Sequence, residues 1–186
     1  MRRAVFLDRD GTLNEDVGYL DNLERLRILP GAVEAVRAFN ERGLLVIVVT
    51  NQSGVARGFF DEAFVTKVHE HMRKLFQKGG AVIDAFYYCP HHPDFPGPYG
   101  QACKCRKPEP GMLIRAAAEW DIDLGRSFMI GDTPKDVEVI RRMGGRGILL
   151  AGEGIPTAAE ADYIARDLRA AAAWIMGELA REGMNP

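Results

Sequence analysis

Two hydrophobic rhythms alternate along this chain. Short runs with no polar residue, such as Leu44 to Val49, are separated by longer segments whose apolar positions fall three or four apart. An uninterrupted apolar run reads as a strand covered on both faces, and the three-four spacing reads as a helix with one buried stripe. Ala4 to Asp8 is the first strand. Pro30 and Gly31 open a helix that carries Val33, Val36 and Phe39 on one face, and Gly43 stops it. Leu44 to Val49 reads as a central strand ending at Thr50. A helix from about Asp61 to Gln77 follows, then a strand from Val82 to Cys89. Between Pro90 and Gln101 the rhythm stops, because prolines at 90, 93, 96 and 98 exclude helix and central strand alike. It resumes with a helix from Pro110 to Trp120 and a short strand at Phe128-Met129-Ile130. Thr133 and Pro134 then read as N-cap and first position of a helix running to Met143. Gly147 to Leu150 is a fifth strand, and Tyr163-Ile164 a small sixth. A final amphipathic helix runs from about Asp167 to Arg181. This alternation predicts an α/β fold, a doubly wound, mainly parallel, Rossmann-like sheet.

Size and charge narrow the picture. The 186 residues suit one compact domain spanning 1–186. Acidic and basic side chains nearly cancel, 26 against 24, so no electrostatic footprint for nucleic acid or anionic lipid is present. The apolar stretch after Met1-Arg2-Arg3 is too brief for a signal-peptide core, and the longest aliphatic run is too short to cross a bilayer. The expectation is a cytoplasmic, monomeric protein that works on a small molecule, without nucleic acid or membrane as partner.

The candidate chemistry sits where strands end. Asp8 and Asp10 follow the first strand, and Gly11-Thr12 supplies a sharp turn. This presents two carboxylates at the C-terminal edge of the sheet, where open α/β folds bind ligands. One acid can attack while the other handles a proton, provided their environments differ. The second long strand delivers Thr50-Asn51-Gln52-Ser53-Gly54, hydroxyl and amide donors suited to phosphoryl oxygens. Arg106-Lys107-Pro108 places two cations just ahead of a helix. Gly131-Asp132-Thr133-Pro134-Lys135-Asp136 places carboxylates at a strand end and in the next helical turn. That pattern suits Mg²⁺, which takes one or two carboxylates and keeps several waters. Asp136 also has a simpler role open to it, favouring the helix N-terminus. His69 and His71 read as solvated positions on their helix.

Three cysteines, all between 89 and 105, cannot pair evenly, and such clustering favours metal over disulfide. Cys89, His91, Cys103 and Cys105 have the ligand types of a closed, structural zinc site, with His92 as the alternative nitrogen donor. One residue separates the members of each pair and eleven separate the pairs.

Asp8-Arg9-Asp10-Gly11-Thr12, the Thr50 strand end, Lys107 and Gly131-Asp132-x-x-x-Asp136 resemble, in order, the four motifs of the haloacid dehalogenase superfamily. Within it, Thr50 to Gly58 and the cysteine loop leading into Cys105-Arg106-Lys107-Pro108 are similar to heptose bisphosphate phosphatases and to the allied histidinol-phosphate phosphatases. The resemblance covers about residues 4 to 165. It implies that Asp8 is the nucleophile and Asp10 the acid and base, with Mg²⁺ held by Asp8, the carbonyl of Asp10 and Asp132. Thr50 and Lys107 would bind the transferring phosphoryl group. Asp16, Val17, Gly18, Tyr19, Asn51, Gln52, Ser53 and Arg106 would contact a sugar bisphosphate. Thr133, where relatives often carry lysine, would take the contact at that position. It further implies zinc in the loop 89–105, holding Arg106 and Lys107 in place. Asp8 to Thr50 and Thr50 to Lys107 leave no room for a cap domain. Histidinol phosphate is the second substrate class in view. A phospho-signalling receiver domain is a third reading, and Asp10 argues against it because a proton-handling aspartate speeds loss of the phosphate.

Overall fold

The computed structural model describes residues 1–151 and 160–184. Six strands form one sheet: β1 (Ala4–Leu7), β2 (Leu45–Asn51), β3 (Ala85–Cys89), β4 (Phe128–Gly131), β5 (Arg146–Leu150) and β6 (Tyr163–Ala165). Their order is β3-β2-β1-β4-β5-β6 and every pairing is parallel, so the mainly parallel expectation becomes wholly parallel. β1 lies at the centre, its Leu7 opposite Val48 of β2 and Ile130 of β4.

Among the described residues five helices cover the sheet: α1 (Ala32–Glu41), α2 (Glu62–Lys78), α3 (Gly111–Trp120), α4 (Pro134–Arg141) and α5 (Leu168–Met184). β1, and β2 from Leu45 to Val49, are apolar at every position because each face meets a helix layer. Val5, Leu7, Val46, Val48 and Ile130 pack with Val36, Phe39, Met72, Phe76 and Ile175 of α1, α2 and α5. Ala4, Phe6, Ile47, Val49 and Met129 face Leu113, Ala116, Val139 and Ile140 of α3 and α4. Fully burying each of the Val, Leu, Ile, Phe and Met side chains among them contributes about 1.5–3 kcal/mol, and parallel strands require that cover on both sides.

The third strand is shorter than its apolar pattern suggests. It begins at Ala85, while Val82 is exposed and hydrogen-bonds Asn40 through both main-chain groups. Between β1 and β2 stand a flap containing a 3₁₀ turn at Leu23–Arg25 and α1. Among the described residues no further folded unit is inserted there or before Lys107. No helix among them is long and apolar enough to cross a membrane.

Candidate active site

Three strand ends and one loop converge at the C-terminal edge of the sheet. Asp8 directly follows β1, and its N–H donates to the Ile130 carbonyl at 3.0 Å. Gly11 turns the chain at φ +74°, and a Cβ there would lie 2.0 Å from Asp132 Oδ2. Only glycine permits both that turn and the close approach of Asp132.

Lys107 arrives from the loop ahead of α3. Its main chain is gripped by the Asn51 side chain: Lys107 N–H donates to Oδ1 at 3.0 Å and Asn51 Nδ2 donates to the Lys107 carbonyl at 3.1 Å. Its ammonium donates to Asp8 Oδ1 at 2.8 Å and the Val49 carbonyl at 2.7 Å, and pairs with Asp136 Oδ1 at 2.6 Å. Burial works against this charge, but Asp136 and Asp8 outweigh it and hold the Lys107 pKa above its ordinary value. Burial pushes Asp8 up to about 7, helped by Asp136 and opposed by Lys107. Asp132 rises to about 6, again by burial and by Asp136. One carboxylate oxygen each from Asp8, Asp132 and Asp136 lies within 4.8 Å of the others. Such crowded, desolvated acids are short of positive charge, and a divalent cation among them reverses the strain. Asp136 is already occupied, accepting from Thr133 N at 3.1 Å and Thr133 Oγ1 at 2.6 Å besides pairing with Lys107. Asp8 and Asp132 are the carboxylates left for a metal.

Asp10 occupies a different environment. Both its oxygens accept from Arg9, at 2.8 and 3.0 Å, while Oδ1 also accepts from Asn14 Nδ2 at 3.0 Å and Oδ2 from Gln52 Nε2 at 2.9 Å. Burial pushes Asp10 up, yet Arg9, Asn14 and Gln52 prevail and hold it below the usual carboxylate value. Two acids two residues apart thus sit in different environments; without a divalent cation at Asp8 the order is the reverse of a charged nucleophile beside a protonated acid, and a divalent ion there would favour the charged form of Asp8. With its carboxylate so engaged, Asp10 has its main-chain carbonyl to offer a metal.

A cleft of about 250 Å³ opens above this floor. Asp16, Gly18, Tyr19, Ser53, Arg106 and Thr133 line it, together with Asp8, Asp10, Thr50, Lys107 and Asp132. Val17 does not: its side chain packs against the core, and its carbonyl accepts from Arg25 and Tyr19 N–H. Asn51 and Gln52 reach the cleft with their amides already engaged, Gln52 also donating to Thr50 Oγ1 at 2.9 Å. In this arrangement Asn51 holds the Lys107 main chain and Gln52 holds Asp10. Thr133 brings no charge, whereas Lys135, two residues on, stands exposed on the cleft wall.

The cysteine loop gathers as its composition suggests. Cys89, Cys103 and Cys105 are free thiols whose sulfurs stand 3.2–3.5 Å apart. His91 Nδ1 lies 3.3 Å from Cys105 Sγ and 3.7 Å from Cys89 Sγ. A tetrahedral zinc with Zn–S near 2.3 Å separates its sulfurs by about 3.8 Å, so four donors this close fit the ion. His92 points elsewhere, accepting from Asp94 N–H at 3.3 Å, which leaves His91 as the nitrogen donor. Arg106 donates to the His91 carbonyl at 3.3 Å, and Tyr88 and Tyr99 each donate to Glu62 at 2.6 Å. The loop is so joined both to the cleft and to α2.

His69 departs from the solvated position expected of it. It lies on the buried stripe Val65-Val68-His69-Met72-Phe76, stacked 4.6 Å from Phe86, with Nε2 3.5 Å from Arg9 Nη1. That stripe was legible in the helical spacing, but a histidine among charged neighbours masked it. Burial first, and Arg9 second, push its pKa down to about 3. Because the unfolded chain binds this proton below about pH 6.5 and the folded one does not, folding stability falls with acidification at ~1.4 kcal/mol per pH unit from about 6.5 toward 3. His69→Gln should flatten that fall in urea titrations at stepped pH. An unchanged slope would place the imidazole in water.

The HAD-hydrolase-like family model matches residues 104–171. The D-glycero-D-manno-heptose-1,7-bisphosphate 7-phosphatase of Thermosynechococcus vestitus is 41% identical over 195 aligned positions, covering 96% of this chain and 98% of that protein. The D-glycero-beta-D-manno-heptose-1,7-bisphosphate 7-phosphatase of Pasteurella multocida is 45% identical over 137 residues, 74% of each chain. Among solved structures, D,D-heptose 1,7-bisphosphate phosphatase from B. bronchiseptica, complexed with magnesium and phosphate, matches with TM-score 0.80 at 32% identity, covering 95% of this chain and 99% of that one. Relatives that span nearly the whole length, on a fold whose strand ends assemble these acids around a buried lysine, leave one conclusion: this chain belongs to the heptose-bisphosphate phosphatase family of the HAD-like hydrolases.

Proposed function

We propose that the protein is a phosphatase releasing the 7-phosphate of D-glycero-D-manno-heptose 1,7-bisphosphate, acting in the cytoplasm as one domain, as a monomer. The observation that carries this reading is the pairing of Asp8 with Lys107 at 2.8 Å beside an Asp10 held separately by Arg9, Asn14 and Gln52. The kinship with 7-phosphatases over 96% of the chain supports the substrate.

An oxygen of Asp8 attacks phosphorus, and the bond to the sugar C7 oxygen breaks as the aspartyl-phosphate bond forms. Asp10 gives that departing oxygen a proton. It then takes one from the water that attacks phosphorus, which frees phosphate and restores Asp8. Thr50 and Lys107 bind the phosphoryl oxygens, and Lys107 offsets the repulsion between a carboxylate and a phosphate dianion. Asp8 and Asp132, with the Asp10 carbonyl, would hold Mg²⁺, which when bound supplies further neutralisation of the transferring charge. Cys89, His91, Cys103 and Cys105 would hold zinc. Four protein ligands complete its coordination, so its contribution is the order of the loop carrying Arg106 and Lys107.

Substrate choice is tested by steady-state kinetics on heptose 1,7-bisphosphate and histidinol phosphate. The bisphosphate should have the higher kcat/KM, and the reverse ranking sinks the reading in favour of the histidinol enzyme. Arg106 can clasp an anion with its fork where a lysine offers a point charge. Arg106→Ala should accordingly reduce the preference for a bisphosphate over a plain monophosphate. Metal analysis should find about one zinc per chain, the content of one four-ligand site. Stripping it should lower both melting temperature and activity, since loop order and metal binding are linked. Zinc-free protein that melts and turns over normally would refute the zinc assignment.

A further inference from the structure

Arg9 is a fully buried cation, 1% exposed, wedged between the two catalytic aspartates in sequence. One edge of its guanidinium is used completely. Nε and Nη2 donate to Asp10, and Nη2 also donates to Gln52 Oε1 at 3.0 Å. The other edge, Nη1, faces His69 Nε2. The His69 ring is itself clamped, stacked on Phe86 at 4.6 Å and edge-on to Tyr88 at 5.8 Å. On the Phe86 and Tyr88 side, then, rigid aromatic rings back the imidazole, the imidazole backs the guanidinium, and the guanidinium backs the carboxylate. A neutral imidazole suits this place, because its bare ring nitrogen accepts from Arg9 whereas an imidazolium would repel it. Leucine or methionine would satisfy the apolar stripe of α2 equally well but would leave a buried Arg9 donor without a partner.

We infer that His69 is a positioning residue for the reaction: by backing Arg9 it fixes the direction in which the Asp10 carboxyl meets the leaving oxygen. This rests on the proposed acid role of Asp10. A long arginine side chain has many rotamers, and Asp10 shares both its oxygens with this one. If Arg9 turns to seek another acceptor, Asp10 and Gln52 move with it. Misplacement of a catalytic group by 1 Å costs about 100-fold. The cost should fall selectively on esters that need the acid. A sugar alkoxide must be protonated as it leaves, whereas p-nitrophenolate departs without help.

The test is kcat/KM, which reads only through the phosphorylation step, measured on heptose 1,7-bisphosphate and on p-nitrophenyl phosphate. His69→Leu should lower it at least about tenfold on the sugar and less than about threefold on the aryl ester, a fraction of the 10²–10⁴ that acid-base catalysis supplies. His69→Gln, whose side-chain oxygen can accept from Arg9, should recover most of that loss. Proportional falls on both esters, or a lowered melting temperature with unchanged kinetics, would overturn the inference. Should His69→Leu fail to fold, Arg9→Lys provides the same comparison: it keeps the charge, loses the fork, and should show the same selective loss, with equal losses again counting against the inference. Glycerol phosphate serves as a second alkyl ester. If wild-type enzyme ignores the heptose but cleaves glycerol phosphate, the substrate reading fails and the ester comparison still decides the role of His69.

Discussion

Asp8→Asn should reduce turnover by at least about a thousandfold, the scale on which loss of a covalent nucleophile is felt. The amide preserves the shape and can still accept from Lys107, but it cannot form the aspartyl-phosphate. Stability should move little, and the metal-free protein should hold or gain melting temperature. Asp8 is a buried carboxyl with its pKa raised to about 7, crowded against Asp136. Replacing it with a neutral group relieves desolvation and like-charge repulsion together. Retention of more than about a tenth of wild-type activity would falsify the nucleophile assignment.

The second large effect belongs to Lys107. Lys107→Ala should lower kcat by about 10²–10³, the usual cost of removing one preorganised group that stabilises transition-state charge. It should also destabilise the fold by about 3–5 kcal/mol in the absence of Mg²⁺, because Asp8 and Asp136 are then left buried without their shared cation. The two effects are separable. Adding Asp136→Asn to Lys107→Ala removes one stranded charge and should restore part of the stability with no gain in turnover. If the double variant is as unstable as the single, the three-way pairing is not what holds this loop. Excess Mg²⁺ should rescue stability more than activity, since the ion supplies charge near Asp8 but not the ammonium hydrogen bonds to phosphoryl oxygen.

Local patterns made much of this molecule legible. Apolar runs marked the position of each strand, though not the start of β3, and the strand ends at Leu7, Asn51 and Gly131 marked the site, because strand periodicity and turn chemistry act over a few residues. The metal-type side chains of the loop were equally readable, as ligand identity needs no partner to be recognised. Three assignments were harder. Asn51 and Gln52 have the chemistry of substrate donors, and nothing in their neighbours says that Lys107 and Asp10 will claim them. Val17 sits inside a segment that otherwise lines the cleft, yet its side chain turns to the core. His69 lies among Lys67, Glu70 and His71, so its buried stripe was obscured by polar company.

What the sequence determined by itself was the alternation of strand and helix, the acids and hydroxyl at the strand ends, and a proline-rich loop carrying metal-binding types of side chain. Each depends on residues close together along the chain. Only the tertiary structure decided which polar groups are paired. Lys107 reaches Asp8 across 99 residues and the Asn51 side chain grips its backbone across 56, while Arg9 meets His69 across 60. Such partnerships follow from strand order and register, which place β1 between β2 and β4 and bring the α3 loop over their ends. Burial then sets the charge of each group, raising Asp8 while Arg9 holds Asp10 down. Two aspartates of one tripeptide acquire different chemistry because desolvation and hydrogen bonding come from residues far away in sequence.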